Sequence, residues 1–404
     1  MNMPVRCLIA AASLSLCLGS VSAQAQQVTC GGDLTDFLAG VKTEALASGV
    51  EAGLVDRAFA NVQIDQKVLS RDRAQGVFKQ TFLEFVGRTV SKARLDIGAQ
   101  KLQDYTAVFA RAESEFGISP AVITAFWAME TDFGVVQGDF NTLNALVTMA
   151  HDCRRPELFR PQLIAALKMM EQGNFDPQTN VGAWAGEIGQ VQMLPADIVK
   201  FGVDGDGDGH VNVRQSSPDA ILTAAKFIQS LGFKAGEPWI QEVSIPQDLP
   251  FEKSGLGGSL KASDWFGLGV VPRDGDMSHG DLPAALVMPQ GRMGPTFLTY
   301  PNFNIYLLWN QSFIYTTSAA YFATRLNGAP ALNKGNPEPG LSDADMKALQ
   351  TLLSAKNHDV GKIDGILGGG TRVAIQKEQT RLGKPADGWA TPALLEALRS
   401  EQPK

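Results

Sequence analysis

From Asp33 to about Ile228 the apolar residues recur at helical spacing, as in Phe37, Val41 and Ala45, or in Leu163, Ala166, Leu167 and Met170. A period sustained over that length predicts helices that each turn one face to a shared core, and hence a mainly α chain. Between Gly236 and Pro301 the period is lost. Gly and Pro become frequent there, and short runs such as Ala284 to Met288 and Thr296 to Tyr300 predict strands between turns. The expectation is a small β-rich insertion over residues 236–301. Helical character returns from Phe303 to Leu326 and ends at Asn327-Gly328, a helix stop.

A chain of 404 residues that is 44% hydrophobic and 19% charged is neither disordered, collagen-like nor coiled-coil, and it exceeds what one core usually holds. Gly335-Asn336-Pro337-Glu338-Pro339-Gly340 has the composition of a linker, which predicts one unit over residues 26–334 and a second over 341–404. The net charge of −7 and the absence of a basic stripe speak against nucleic acid as a partner. Arg6, the apolar run from Cys7 to Val21 and Ala23-Gln24-Ala25 predict a cleaved secretory signal over residues 1–25, a mature start near Gln26 and a periplasmic location. No internal run is long enough to span a membrane. Cys7 and Cys17 would leave with the signal. Cys30 and Cys153 would remain in an oxidising compartment, where a disulfide between them is expected and two buried thiols are the alternative.

The residue pattern with the clearest chemical content is a helix opened by Ser119-Pro120 and running to Glu130, with Gly134 as its expected stop. Ile123, Phe126, Trp127 and Glu130 stand at i, i+3, i+4 and i+7, so a carboxyl group shares the apolar stripe. Apolar neighbours destabilise the anion and raise the pKa, which suits a general acid that must protonate a glycosidic oxygen. The plainer reading is a partly solvated structural glutamate near a helix end.

The block Ala128 to Gly134, Ala128-Met129-Glu130-Thr131-Asp132-Phe133-Gly134, resembles the catalytic motif of the lytic murein transglycosylase B family. In the family's order follow Trp184 to Pro195, the acidic loop Asp204 to His210, and Asn302-Phe303 with Trp309-Asn310. The resemblance covers residues 30–330 and implies a lysozyme-like α+β catalytic domain. It further implies an exported lytic transglycosylase that cuts the bond between N-acetylmuramic acid and N-acetylglucosamine in peptidoglycan without water, leaving 1,6-anhydro ends. Glu130 is then the single acid/base. Gln192, Asn310, Tyr315 and Trp309 are implied substrate-binding residues, with Tyr315 able to hydrogen-bond Glu130. Trp309 stands where the family commonly has Tyr, which keeps stacking but removes a phenolic hydroxyl, and Ala183 stands where a Ser is usual. Asp132, two positions along the helix from Glu130, points elsewhere and reads as structural.

Asp204, Asp206 and Asp208 occupy positions 1, 3 and 5 of a calcium-type loop, with the His210 carbonyl at 7. Gln215 replaces the usual Glu at position 12, and the resemblance implies closure by a later Asp, for which Asp219 is the candidate. A structural calcium ion and no organic cofactor are expected. Leu349-Gln350, Gly361 to Gly365, Thr371-Arg372, Gln379 and Asp387-Gly388 resemble the peptidoglycan-binding domain type 1 family, a three-helix unit, although Lys377-Glu378 replaces an aromatic residue before Gln379. The expected partner is the glycan strand of peptidoglycan, with no transmembrane span in the mature chain. A hydrolytic muramidase and a non-catalytic, calcium-stapled wall-binding protein are the alternative functions.

Overall fold

The structure is a computed structural model that describes residues 29–74, 80–258 and 260–401. The expected signal over residues 1–25 and the mature start at Gln26 lie outside the described residues. At the centre of the helical unit stands the helix Pro120–Thr131. Every side chain from Ala121 to Ala128 is buried, so the helix is surrounded by its neighbours and the apolar stripe expected from the sequence is a full circumference. The helices Lys92–Asp104, Thr106–Phe116, Ser217–Ser230 and Phe313–Leu326 pack around it.

Pro120 occupies the first turn, where no N–H is needed, but Ser119 makes no side-chain capping bond. The helix is stopped by three successive left-handed residues, Asp132 (φ 53°), Phe133 (φ 60°) and Gly134 (φ 86°), and so its last residue, Thr131, precedes the glycine expected to end it. Arg94 holds this turn by donating to Asp132 Oδ1 at 2.9 Å, to the Thr89 carbonyl at 2.7 Å and to the Ala128 carbonyl. At Gly134 any other residue would be strained by the φ of 86°, and its Cβ, 2.9 Å from Gln190 Oε1, would require that side chain to shift.

The insertion is a four-stranded antiparallel sheet in the order Val271–Pro272, Ile240–Ser244, Phe297–Thr299, Ala285–Val287. Its register pairs Gln241 with Leu298 and Leu286 with Leu298. It keeps a core of its own around Trp265, Leu286, Leu298 and Tyr300. The segment expected to be helical from Phe303 to Leu326 is divided into Phe303–Trp309 and Phe313–Leu326. The break is built from side chains: Asn310 Oδ1 accepts the Ser312 N–H at 2.9 Å, and Ser312 Oγ caps the second helix at the Tyr315 N–H.

At the other end Cys30 and Cys153 are joined by a disulfide with their Cα atoms 5.3 Å apart, which ties the chain start to the turn after the helix Thr142–His151. Residues 342–401 carry the helices Asp343–Ala355, Gly369–Arg381 and Pro392–Ser400 around Leu349, Leu353, Ile375, Leu394 and Leu398. Glu378, in place of an aromatic residue, is buried yet paired with His358 at 2.8 Å and Arg381 at 2.7 Å. Burial acts to raise its pKa, but those partners outweigh it and hold the carboxyl below the usual glutamate value.

Candidate active site

Glu130 lies in the last turn of the central helix, where three elements distant in sequence converge. Its Oε1 accepts the Trp309 indole N–H at 2.8 Å and the Tyr315 hydroxyl. Trp309 is itself fixed by stacking on Phe126, ring centroids 4.3 Å apart at 22°, and by an edge contact with Phe227. Tyr315 is buried on the first turn of Phe313–Leu326. Both donors sit on one oxygen. When the carboxyl is neutral, this arrangement leaves the proton to Oε2, which has no protein partner among the described residues.

Burial pushes the Glu130 carboxyl above the usual glutamate value. The hydrogen bonds from Tyr315 and Trp309 act the other way without cancelling it, and the charge of Glu187 adds to the rise. The residue as a whole is of intermediate burial, and desolvation is the largest influence on its carboxyl. Such a carboxyl can hold its proton at a pH where an ordinary glutamate has lost it.

Glu187 is the residue that sequence reasoning missed. It stands in a tight turn between Gly186 (φ 87°) and Gly189 (φ 82°), pinned by the Ala183 N–H to its carbonyl at 2.9 Å and by the bridge of Ile188 with Met193. Burial raises its own pKa, and Arg155 opposes this. The signal available in the sequence was an acidic residue set between glycines inside the block from Trp184 to Pro195.

The other expected residues are placed as follows. Gln192 adopts φ 51° and donates from Nε2 to the Gly189 carbonyl at 2.8 Å and the Gln137 carbonyl at 3.3 Å, leaving its Oε1 without a donor among the described residues. A side chain held in that backbone conformation is over-determined by its surroundings, as residues at ligand sites often are. Asn310 makes no hydrogen bond to Glu130; its Oδ1 and its carbonyl, which accepts from Thr316 Oγ1 at 2.7 Å, hold the break between the helices. Trp309, expected to keep stacking without the phenolic hydroxyl of the usual Tyr, donates to Glu130 through its indole N–H. Asp132 faces Arg94 and not the carboxyl of Glu130.

In the acidic loop, Asp204, Asp206 and Asp219 each offer a carboxylate oxygen within 4.8 Å of the others, with Asp219 buried. Backbone N–H groups orient them: Gly207 and Gly209 donate to Asp204 at 2.7 and 2.9 Å, and Gly205 and Asn212 to Asp219 at 2.8 and 2.6 Å. Three clustered oxygen donors, one of them buried, fit a hard divalent cation. Asp208 is outside that group, its Oδ1 accepting the His210 N–H at 2.8 Å, and the His210 side chain is exposed.

A model of the transglycosylase SLT domain matches residues 33–324, and one of a peptidoglycan binding domain matches residues 342–398. The chain is 29% identical over 157 residues to the membrane-bound lytic murein transglycosylase B of Escherichia coli (strain K12), a stretch of 39% of this chain and 43% of that protein. It therefore spans less than half the length of that curated relative. SltB3 from Pseudomonas aeruginosa, solved in complex with NAG-anhNAM-pentapeptide, is 33% identical, with 91% of this chain and 100% of that chain covered and a TM-score of 0.84. The soluble lytic transglycosylase SltB1 from Pseudomonas aeruginosa shares the fold at 24% identity, covering 72% of this chain and 100% of that chain with a TM-score of 0.64.

Proposed function

The chain belongs to the transglycosylase SLT domain family, and from that premise we propose that it is an exported lytic transglycosylase of peptidoglycan with Glu130 as its single acid/base. The observation that carries this is the one-sided hydrogen bonding of Glu130, which leaves Oε2 to present a proton. Oε2 donates that proton to the oxygen leaving C1 of N-acetylmuramic acid, and the C1–O bond breaks as the sugar's own acetamido oxygen bonds to C1. The Glu130 carboxylate then takes the proton of the 6-hydroxyl while O6 bonds to C1 and displaces the acetamido oxygen. The acid is regenerated and a 1,6-anhydro end remains. Trp309 and Tyr315 stabilise the carboxylate between the two proton transfers. Gln192 Oε1 and Asn310 Nδ2 remain to accept from and donate to the sugar.

A structural calcium ion held by Asp204, Asp206 and Asp219 would fasten the loop ahead of the helix Ser217–Ser230, one wall of the core around Glu130. The Cys30–Cys153 pair and the signal-like sequence expected over residues 1–25 are the support for proposing export to an oxidising periplasm. Glu187 favours one second reading, a hydrolytic muramidase, because it is a carboxylate whose charge is felt at Glu130 and could activate water.

Mass spectrometry of murein sacculi digested by the parent and by Glu130→Gln tests both readings. The lytic reading expects products lighter by one water than reducing-end fragments, and almost none from Glu130→Gln. Reducing-end products would establish hydrolysis instead, and equal release by the two proteins would leave only wall binding.

A further inference from the structure

The C-terminal unit is docked, although its linker composition suggests a loose tether. Its helix Gly369–Arg381 lies on the β-rich insertion, and Ala386 is buried within that insertion's core. Gln376 Nε2 donates to the Ser254 carbonyl at 3.2 Å and its Oγ at 3.1 Å, while Asp387 Oδ2 accepts the Arg292 N–H at 3.0 Å. The linker is held as well, through the Asn336 N–H to the Met293 carbonyl at 2.8 Å and Trp389 Nε1 to the Glu338 carbonyl at 2.9 Å.

Arg372 is the unusual member of this seam. Its guanidinium donates to the Pro289 carbonyl at 2.7 Å and the Met288 carbonyl at 3.4 Å, and its Nε is buried without a partner among the described residues. Burial pushes its pKa down to about 10, with the charge of Asp387 opposing. Beside those carbonyls it also meets the Phe313 ring, whose centroid lies 5.1 Å from its Cζ, and both side chains line a cavity of about 280 Å³ together with Leu307 and Gln311. A desolvated guanidinium over an aromatic face is a strong contact for its size. Phe313 is the first residue of the helix that carries Tyr315, directly after the Asn310–Ser312 break that follows Trp309.

We propose that Arg372 is a positioning residue for the acid: the C-terminal unit, through Arg372 on Phe313, holds the turn 309–315 so that Trp309 and Tyr315 stay on Glu130 Oε1. The inference rests on the reading of Glu130 as the catalytic acid. Arg372→Ala in the full chain, with a soluble peptidoglycan tetrasaccharide as substrate, is expected to lower kcat about tenfold and leave KM within about twofold. Pelleting with sacculi should be unchanged. Tyr315, Trp309 and Glu187 are the groups that act on the Glu130 carboxyl, and loosening the two donors raises its pKa, so the alkaline limb of the rate profile should move to higher pH. Phe313→Leu tests the same contact from the catalytic side should Arg372→Ala disturb the C-terminal unit; the same kcat loss and limb shift are expected, without addition in the double variant. Parent-like kcat and pH limb in either folded variant, or a loss confined to KM or sacculus pelleting, overturns the proposal. If Glu130→Gln is inactive while Arg372→Ala behaves as parent, only this inference fails; an active Glu130→Gln removes the reading beneath it.

Discussion

At the scale of single residues, the position of Glu130 on the central helix was legible because i, i+3, i+4 and i+7 relations are local. Its partners were not, since Trp309 and Tyr315 lie 179 and 185 residues away, and no periodicity reports which loops meet. The chemistry of the three groups gives opposite signs that can be measured. Tyr315→Phe removes a donor that lowers the Glu130 pKa, so the alkaline limb of kcat/KM should move up in pH while the rate falls about 10- to 100-fold. Glu187→Gln removes a charge that raises it, so the limb should move down. Limbs moving the same way in both variants would contradict this arrangement. Folding linkage gives a second test. The folded pKa of Glu130 lies above its unfolded value, so its contribution to stability is full below the usual glutamate range and is lost as pH rises through the raised value. Glu130→Gln, which keeps an oxygen for both donors, should therefore gain thermal stability over the parent as pH increases, by about 2–4 °C for each kcal/mol. A melting difference that does not change between pH 4 and pH 9 would mean the carboxyl is not desolvated.

Elements were legible where backbone chemistry or periodicity sets them and obscure where side chains do. The strands expected near Ala284 to Met288 and Thr296 to Tyr300 appear as Ala285–Val287 and Phe297–Thr299, because Gly and Pro bound them in the sequence itself. The division between Phe303–Trp309 and Phe313–Leu326 was hidden, since Asn310-Gln311-Ser312 contains neither Gly nor Pro and is broken by two polar side chains. The acidic loop falls between these cases. Spacing placed Asp204 and Asp206, but Asp208 turns to the His210 N–H, and Asp219 closes the group from the first turn of the next helix. Added calcium should raise the melting temperature of the parent, by an amount equivalent to about 2.7 kcal/mol at a concentration one hundred times the dissociation constant. Asp206→Asn should weaken that rise without affecting the calcium-free melt, because Asp206 accepts mainly from Ser216 Oγ at 2.7 Å. Asp219→Asn should lower both melts, as its two oxygens carry the Gly205 and Asn212 amides. Equal calcium responses in parent and Asp206→Asn would place the ion elsewhere or nowhere.

For the molecule as a whole, composition marked the segment at Gly335 to Gly340 as the divide but could not show that the two units are joined across it. Arg372, Gln376 and Ala386 look like ordinary positions of a small helical unit until the insertion is folded against them. The far end of the chain is secured differently. Cys30 and Cys153 close a loop with a sequence separation of 123, which contains the central helix, and the Gly31 N–H to the His151 carbonyl at 2.8 Å continues the attachment. Closing so long a loop restricts the unfolded chain, an effect that the chain-entropy account puts at about 4.7 kcal/mol for a loop of roughly this size. Replacing both cysteines by serine should therefore lower stability by about 2–5 kcal/mol and move the urea midpoint down by about 1–2 M. The shift should match that of the parent under reducing agent, because the constraint lost is the same. A double variant that unfolds at the same urea concentration as the oxidised parent would show that the cross-link does not restrain the unfolded chain, and the packing of Phe37, Val41 and Ala45 would then have to hold the N-terminal helices unaided.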